Sequence, residues 1–152
     1  MQMMQMSESF IAADHQSSWM LPACGSVVYL SIIFFLKNIA SLPVYQLKEV
    51  AVIHNLILIS LSVVMFFGGV SSLYDRYAHE GFDGVFCSQR TQSKVLDGPA
   101  GFWIMIFFYS KFYELGDTVL MCLKHKWANV SFLHVYHHVV MLWLTWSWLR
   151  YG

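Results

Sequence analysis

The sequence predicts an all-α fold, a polytopic bundle of membrane-spanning helices. Two features of composition and one of spacing predict it. Of the 152 residues, 57% are hydrophobic and only 12% are charged, roughly half the charged fraction of about 25% found in soluble domains. Aromatic residues reach 17%, an enrichment suited to a chain living in and beside a bilayer. The few charges are bunched, which leaves long runs free of them. A helix needs about 20 apolar residues to cross a hydrocarbon core. Three uncharged runs meet that length: 21 residues at 16–36, 25 at 50–74 and 23 at 127–149. The same composition excludes a disordered chain. Lys plus Arg and Asp plus Glu both total 9, so no basic excess points to a nucleic-acid partner.

The elements follow in order. Residues 1–15 read as a disordered polar tail, and residues 16–152 as the membrane domain. The first span is placed at residues 19–36. A cleaved signal peptide is the alternative, but no basic residue precedes the run and the run exceeds a usual signal core. Residues 37–49, with Pro43 and two Lys, connect it to a second span at residues 50–74. Residues 75–97 form a long polar loop containing Gly81, Gly84 and four acidic residues. The third span, residues 99–123, is less obvious. Its uncharged stretch, 98–110, is only 13 residues long, and the helix must continue through Lys111, Glu114 and Asp117. A half-span ending at Ser110 is the competing reading. Only Gly116 intervenes as a breaker, so one long helix is expected. A tight hairpin at residues 124–126 leads to the fourth span, residues 127–149. Lys37 and Lys48 follow a first span with no preceding Lys or Arg. The positive-inside rule therefore puts the N-terminus outside and the 124–126 hairpin in the cytosol.

Ionisable groups inside a membrane are costly and point to function. Lys111, Glu114, Asp117 and Thr118 fall within an arc of about 120° on one helix face. A structural Lys111–Glu114 pair is the plain alternative, and it leaves Asp117 to find a partner on another helix. The fourth span carries His134, His137 and His138 in the run HVYHH, across about 100° of surface. Three imidazoles on one face suit metal ligation or nucleophilic and acid–base work. Burial favours the neutral ring that either job requires. With the two spans antiparallel about the hairpin, Asp117 lies level with His134 and Glu114 with His137. A carboxylate accepting an imidazole N–H would fix the tautomer of each ring.

The runs KFYELGDT, residues 111–118, and HVYHH, residues 134–138, with the short Lys-rich hairpin between them, resemble the ELO family of very-long-chain fatty acid elongases. The His54–Asn55 pair opening the second span resembles the family too, and the likeness covers about residues 20–152. The resemblance implies 3-ketoacyl-CoA synthase chemistry in the endoplasmic reticulum membrane. A long-chain acyl-CoA condenses with malonyl-CoA, releasing CoA and CO₂, with no cofactor and no resident metal. It implies a seven-span fold with six spans around an acyl tunnel, of which this sequence would hold about four. It also implies that His137 accepts the acyl group, with His134, His138, Lys111, Glu114 and Asp117 as further catalytic residues. Thr118, Asn55, Lys124 and Lys126 would contact substrate, the two lysines meeting CoA phosphates; ordinary flanking charge is the alternative for those lysines. Membrane lipid, other enzymes of the elongation cycle and a second copy of the chain are the expected partners. A lumenal 75–97 loop would leave Cys87 a free thiol in this sequence, and the resemblance suggests a disulfide partner later in longer members.

Two other readings remain open on the residues. A diiron desaturase or hydroxylase also uses HxxHH, but no HxxxH pair lies upstream. A non-catalytic remnant or scaffold would use the polar face only for helix packing. Four spans cannot close a six-span tunnel, so residues 1–152 are expected to carry the catalytic motifs without elongating alone.

Overall fold

The computed structural model describes residues 19–39, 45–86 and 99–151. Among them are four α-helices and no strand. The helices are α1 Met20–Asn38, α2 Lys48–Phe86, α3 Pro99–Leu123 and α4 Phe132–Tyr151, with a short 3₁₀ turn at Trp127–Asn129. The all-α class expected from composition is the class observed. Two segments, Met20–Asn38 and Lys48–Phe82, are long and apolar enough to cross a membrane. Hydroxyls inside the apolar helices are satisfied locally. Ser26, Ser72 and Thr145 each donate to the carbonyl four residues earlier, as Ser and Thr do when no water is at hand. The expected 1–15 tail, Pro43 and Cys87 lie outside the described residues.

Side-chain approaches fix the topology. Gly25 and Tyr29 of α1 meet Phe112 and Thr118 of α3, so those helices run parallel. His54 and Gly68 of α2 meet Asp117 and Trp103, so α2 and α3 are antiparallel. Thr118 and Phe107 of α3 meet His134 and Trp148, so α3 and α4 are antiparallel. Helix α3 is central, and α2 packs chiefly on it. The core is small: Tyr29, Met105, Phe108, Cys122 and Leu142 are its buried apolar members. Most of the apolar surface faces outward, Phe66 and Phe67 of α2 included. That outer face suits hydrocarbon, where exposed apolar surface carries no hydrophobic penalty.

Helix α3 runs unbroken through Ser110 and past Asp117. Helix α2 differs from expectation, because it continues through the first part of the polar 75–97 segment. An Arg76–Glu80 ion pair of 3.2 Å, one turn apart, supports the extension. Gly81 then breaks the helical path at φ 68° and ψ −170°, a conformation open to glycine and strained for other residues. The 124–126 hairpin is also longer than expected. His125 adopts φ 53°, the Lys126 N–H donates to the Met121 carbonyl and the His125 N–H to that of Cys122. This left-handed closure ends α3. The 3₁₀ turn follows, and the Ser131 hydroxyl accepts the His134 N–H at 3.2 Å, capping α4. The fourth helix therefore starts at Phe132, not at Trp127. The Tyr45 N–H donates to the Leu123 carbonyl, which brings the α1–α2 connection beside this hairpin. Lys37, Lys48, Lys124 and Lys126 thus share one end of the bundle.

Candidate active site

Polar residues from all four helices meet in the half of the bundle nearer the lysine end. On α3, Lys111 and Glu114 form an ion pair of 2.6 Å, and the Lys111 ammonium also lies 4.4 Å from the Phe107 ring centre, within cation–π range. The plain i,i+3 pairing is therefore formed, and it occupies Glu114.

Asp117 turns the other way. Its carboxylate reaches His54 Nε2 on α2 at 3.0 Å. His54 is buried and stacks on Tyr113 with ring centres 4.6 Å apart. The contact meets an ion-pair distance, yet Nε2 completes no hydrogen bond. We take the two groups as neighbours out of alignment, since direction as well as distance makes a hydrogen bond. Gly116 makes the approach possible: a Cβ there would lie 3.1 Å from His54 Cε1. His54, Tyr113 and Gly116 line an open groove of about 410 Å³ whose other walls include Val50, Ile53 and Leu120.

Thr118 faces α1 and α4. Its Oγ1 lies 2.8 Å from the Tyr29 hydroxyl and 2.9 Å from His134 Nε2. The imidazoles of α4 follow in contact, His134 with His138 at 4.6 Å between ring centres and His138 with His137 at 5.7 Å. His138 is buried, His134 half-buried and His137 exposed. Among the described residues, no group of three or more His, Cys, Asp or Glu is placed to hold a metal ion.

The sequence expectation of level pairs is corrected here. Asp117 meets His54 in place of His134, and Glu114 meets Lys111 in place of His137. The depth was right to one residue, because Thr118 is the residue that meets His134. One residue is about 100° of helix rotation, and that sends Asp117 toward α2. Thr118, expected as a substrate contact, is fully buried with its hydroxyl against His134. Asn55 is exposed, whereas its neighbour His54 points inward. Lys124 and Lys126 stand at the hairpin, half-buried and exposed. Sequence reasoning noted His54 only within the family resemblance, chose its neighbour Asn55 as the substrate contact, and left out Tyr29 and Tyr113. A histidine inside a predicted span was itself the signal for His54; Tyr29 carried only the weaker signal of a phenol in mid-span.

The family model described as ELO, the GNS1/SUR4 family, matches residues 15–152. The chain belongs to this family. "Fatty acid elongase sre1" of Dictyostelium discoideum is 42% identical over 135 residues, covering 88% of this chain and 49% of that protein. "Fatty acid elongase A" of the same organism is 35% identical, covering 89% of this chain and 48% of that protein. "Very long chain fatty acid elongase 7" of Rattus norvegicus is 30% identical over 71% of this chain and 37% of its own length. The chain thus spans about half the length of curated relatives it matches. No solved structure matches it.

Proposed function

We propose that this chain carries the condensing site of fatty acid elongation, joining a long-chain acyl-CoA to malonyl-CoA as a 3-ketoacyl-CoA synthase. The observation that supports it most is the gathering of three imidazoles, two carboxylates and a lysine within an apolar bundle of the ELO family. In this reading His137, the exposed ring of the three, attacks the thioester carbonyl. CoA leaves as the thiol after taking a proton, and an acyl-imidazole remains. Malonyl-CoA then loses CO₂, and its enolate carbon attacks the acyl carbon. The product is 3-ketoacyl-CoA, and the imidazole is released as it takes up one proton from the medium. His138, buried against His137, serves as the proton-handling neighbour. Lys111 is neutralised by Glu114, so its charge reaches an enolate only if that pair loosens. Lys124 and Lys126, with Lys37 and Lys48 beside them, form a cationic end suited to CoA phosphates. The endoplasmic reticulum and a lumenal N-terminus complete the proposal.

The experiment is expression in a yeast lacking its own elongases, with fatty-acid profiling, alongside mass spectrometry of the purified protein after incubation with long-chain acyl-CoA. In a full-length context, new longer acids and an acyl mass on His137 are expected, whereas residues 1–152 alone are expected to give no new acids. His137→Ala should abolish both, His137→Gln should not restore them, and Asp117→Asn should be milder. Elongation that survives His137→Ala would remove the covalent role. One observation favours the scaffold reading: Lys111–Glu114 and His54–Asp117 place each of these charges beside an internal partner. Absence of any acyl adduct, with the fold intact, is the outcome that reading requires.

A further inference from the structure

Tyr29, Thr118 and His134 come from three helices and meet in one line of hydrogen bonds. The Tyr29 hydroxyl is 2.8 Å from Thr118 Oγ1, which is 2.9 Å from His134 Nε2. Tyr29 is 2% exposed and Thr118 0%, so bulk water cannot complete their bonding. The line has two possible proton orders. In the first, Nε2–H donates to Thr118 and Thr118 donates to Tyr29. The phenol proton then needs a further acceptor, and among the described residues Tyr29 has no other hydrogen bond. In the second, Tyr29 donates to Thr118, and Thr118 donates to the lone pair of Nε2. Every buried hydroxyl proton is then used, as buried polar groups require. The phenol is also the more acidic of the two hydroxyls and the better donor.

The backbone that carries the ring is held by the Ser131 cap on the His134 N–H, and the His138 ring stands edge-on 4.6 Å away. We infer that Tyr29, acting through Thr118, fixes His134 as the tautomer protonated on Nδ1, with Nε2 occupied as an acceptor. Tyr29 and Thr118 are positioning residues, and so is His134 itself. Resting on the elongation reading, this leaves proton transfer in the histidine run to His138, and it ties α1 to the site through a residue outside both polar motifs.

The test is nitrogen NMR of the full 152-residue chain, labelled with ¹⁵N-histidine, in phospholipid nanodiscs without substrate. His134→Gln assigns the resonances by their disappearance. The expected wild-type spectrum shows His134 with a protonated Nδ1 and a bare, hydrogen-bonded Nε2. Tyr29→Phe keeps the ring and deletes only the hydroxyl. It should shift the His134 signals toward a mixture of tautomers, as should Thr118→Val, while Thr118→Ser restores the wild-type pattern. A protonated Nε2 in the wild type overturns the inference whether or not any variant folds. An unchanged spectrum in folded Tyr29→Phe overturns it as well. Because no substrate is present, the tautomer can be confirmed even where the elongation assay fails, which separates this inference from the function it rests on.

Discussion

Thr118 and Asp117 are adjacent in sequence, and they face two unlike seams of the same helix. Toward α1 and α4, Thr118 is fully buried and bonded on both sides, to Tyr29 and to His134. Toward α2, Asp117 remains one-third exposed and approaches a buried imidazole with which it completes no hydrogen bond. The first seam is closed by chain; the second opens into a groove. Polar residues in apolar surroundings can therefore be finished locally or left poised, and the choice turns on about 100° of helix rotation. The closed seam holds a histidine still. The open seam leaves an acid and a histidine free to rearrange.

Stability measurements across the two seams should rank accordingly. Thr118→Val removes the hydroxyl that serves both neighbours, and each buried group left unpaired costs about 1–3 kcal/mol. It should be the most destabilising change, read by reversible unfolding in mixed micelles. A loss no larger than that of an exposed substitution would show that the closed seam is not closed. Gly68→Ala attacks the α2 seam by sterics, since a Cβ there would lie 2.0 Å from the Trp103 ring. Overpacking of this kind costs about 1–3 kcal/mol, and Trp103→Ala in the same chain should recover part of the loss. Asp117→Asn keeps the shape and removes the charge. For a partly exposed, misaligned pair the expected change is below about 1 kcal/mol; a large loss would reveal a well-made bond between Asp117 and His54. His125→Gly touches neither seam. Relief of its positive φ is worth about 1–2 kcal/mol, and the greater entropy glycine loses on folding offsets about 0.5–1 kcal/mol of that, so the same unfolding assay should move slightly in the opposite direction.

Much of this was legible in the sequence, and the pattern of what was not is physical. Helix α3 could be read through Lys111, Glu114 and Asp117 because no breaker cluster interrupts it and the charges share a face. The level of His134 relative to α3 followed from rise per residue, which is nearly constant. Which residue of α3 pointed at α4 did not follow, because a one-residue error changes depth by only 1.5 Å but direction by about 100°. The hairpin added to that error. A left-handed histidine, a 3₁₀ turn and a serine cap lengthen a turn that reads from composition as three residues. The continuation of α2 beyond Tyr74 was hidden for another reason. Charge marks where a helix leaves hydrocarbon, not where it stops being a helix, and an Arg76–Glu80 pair is as comfortable on a solvated turn as in a loop.

The length of α2 sets a condition on the membrane itself. The apolar run of α2, residues 50–74, is about 37 Å long, against a hydrocarbon core of about 30 Å. Hydrophobic mismatch of that kind is relieved by tilt or by local change in bilayer thickness. Helix α2 leans chiefly on α3, so a change of tilt would have to be taken up along that seam, where Gly68 meets Trp103 and His54 meets Asp117. Bilayer thickness then becomes a mechanical input to the groove, with thin membranes prying at the α2–α3 seam and thick ones letting α2 stand upright against it.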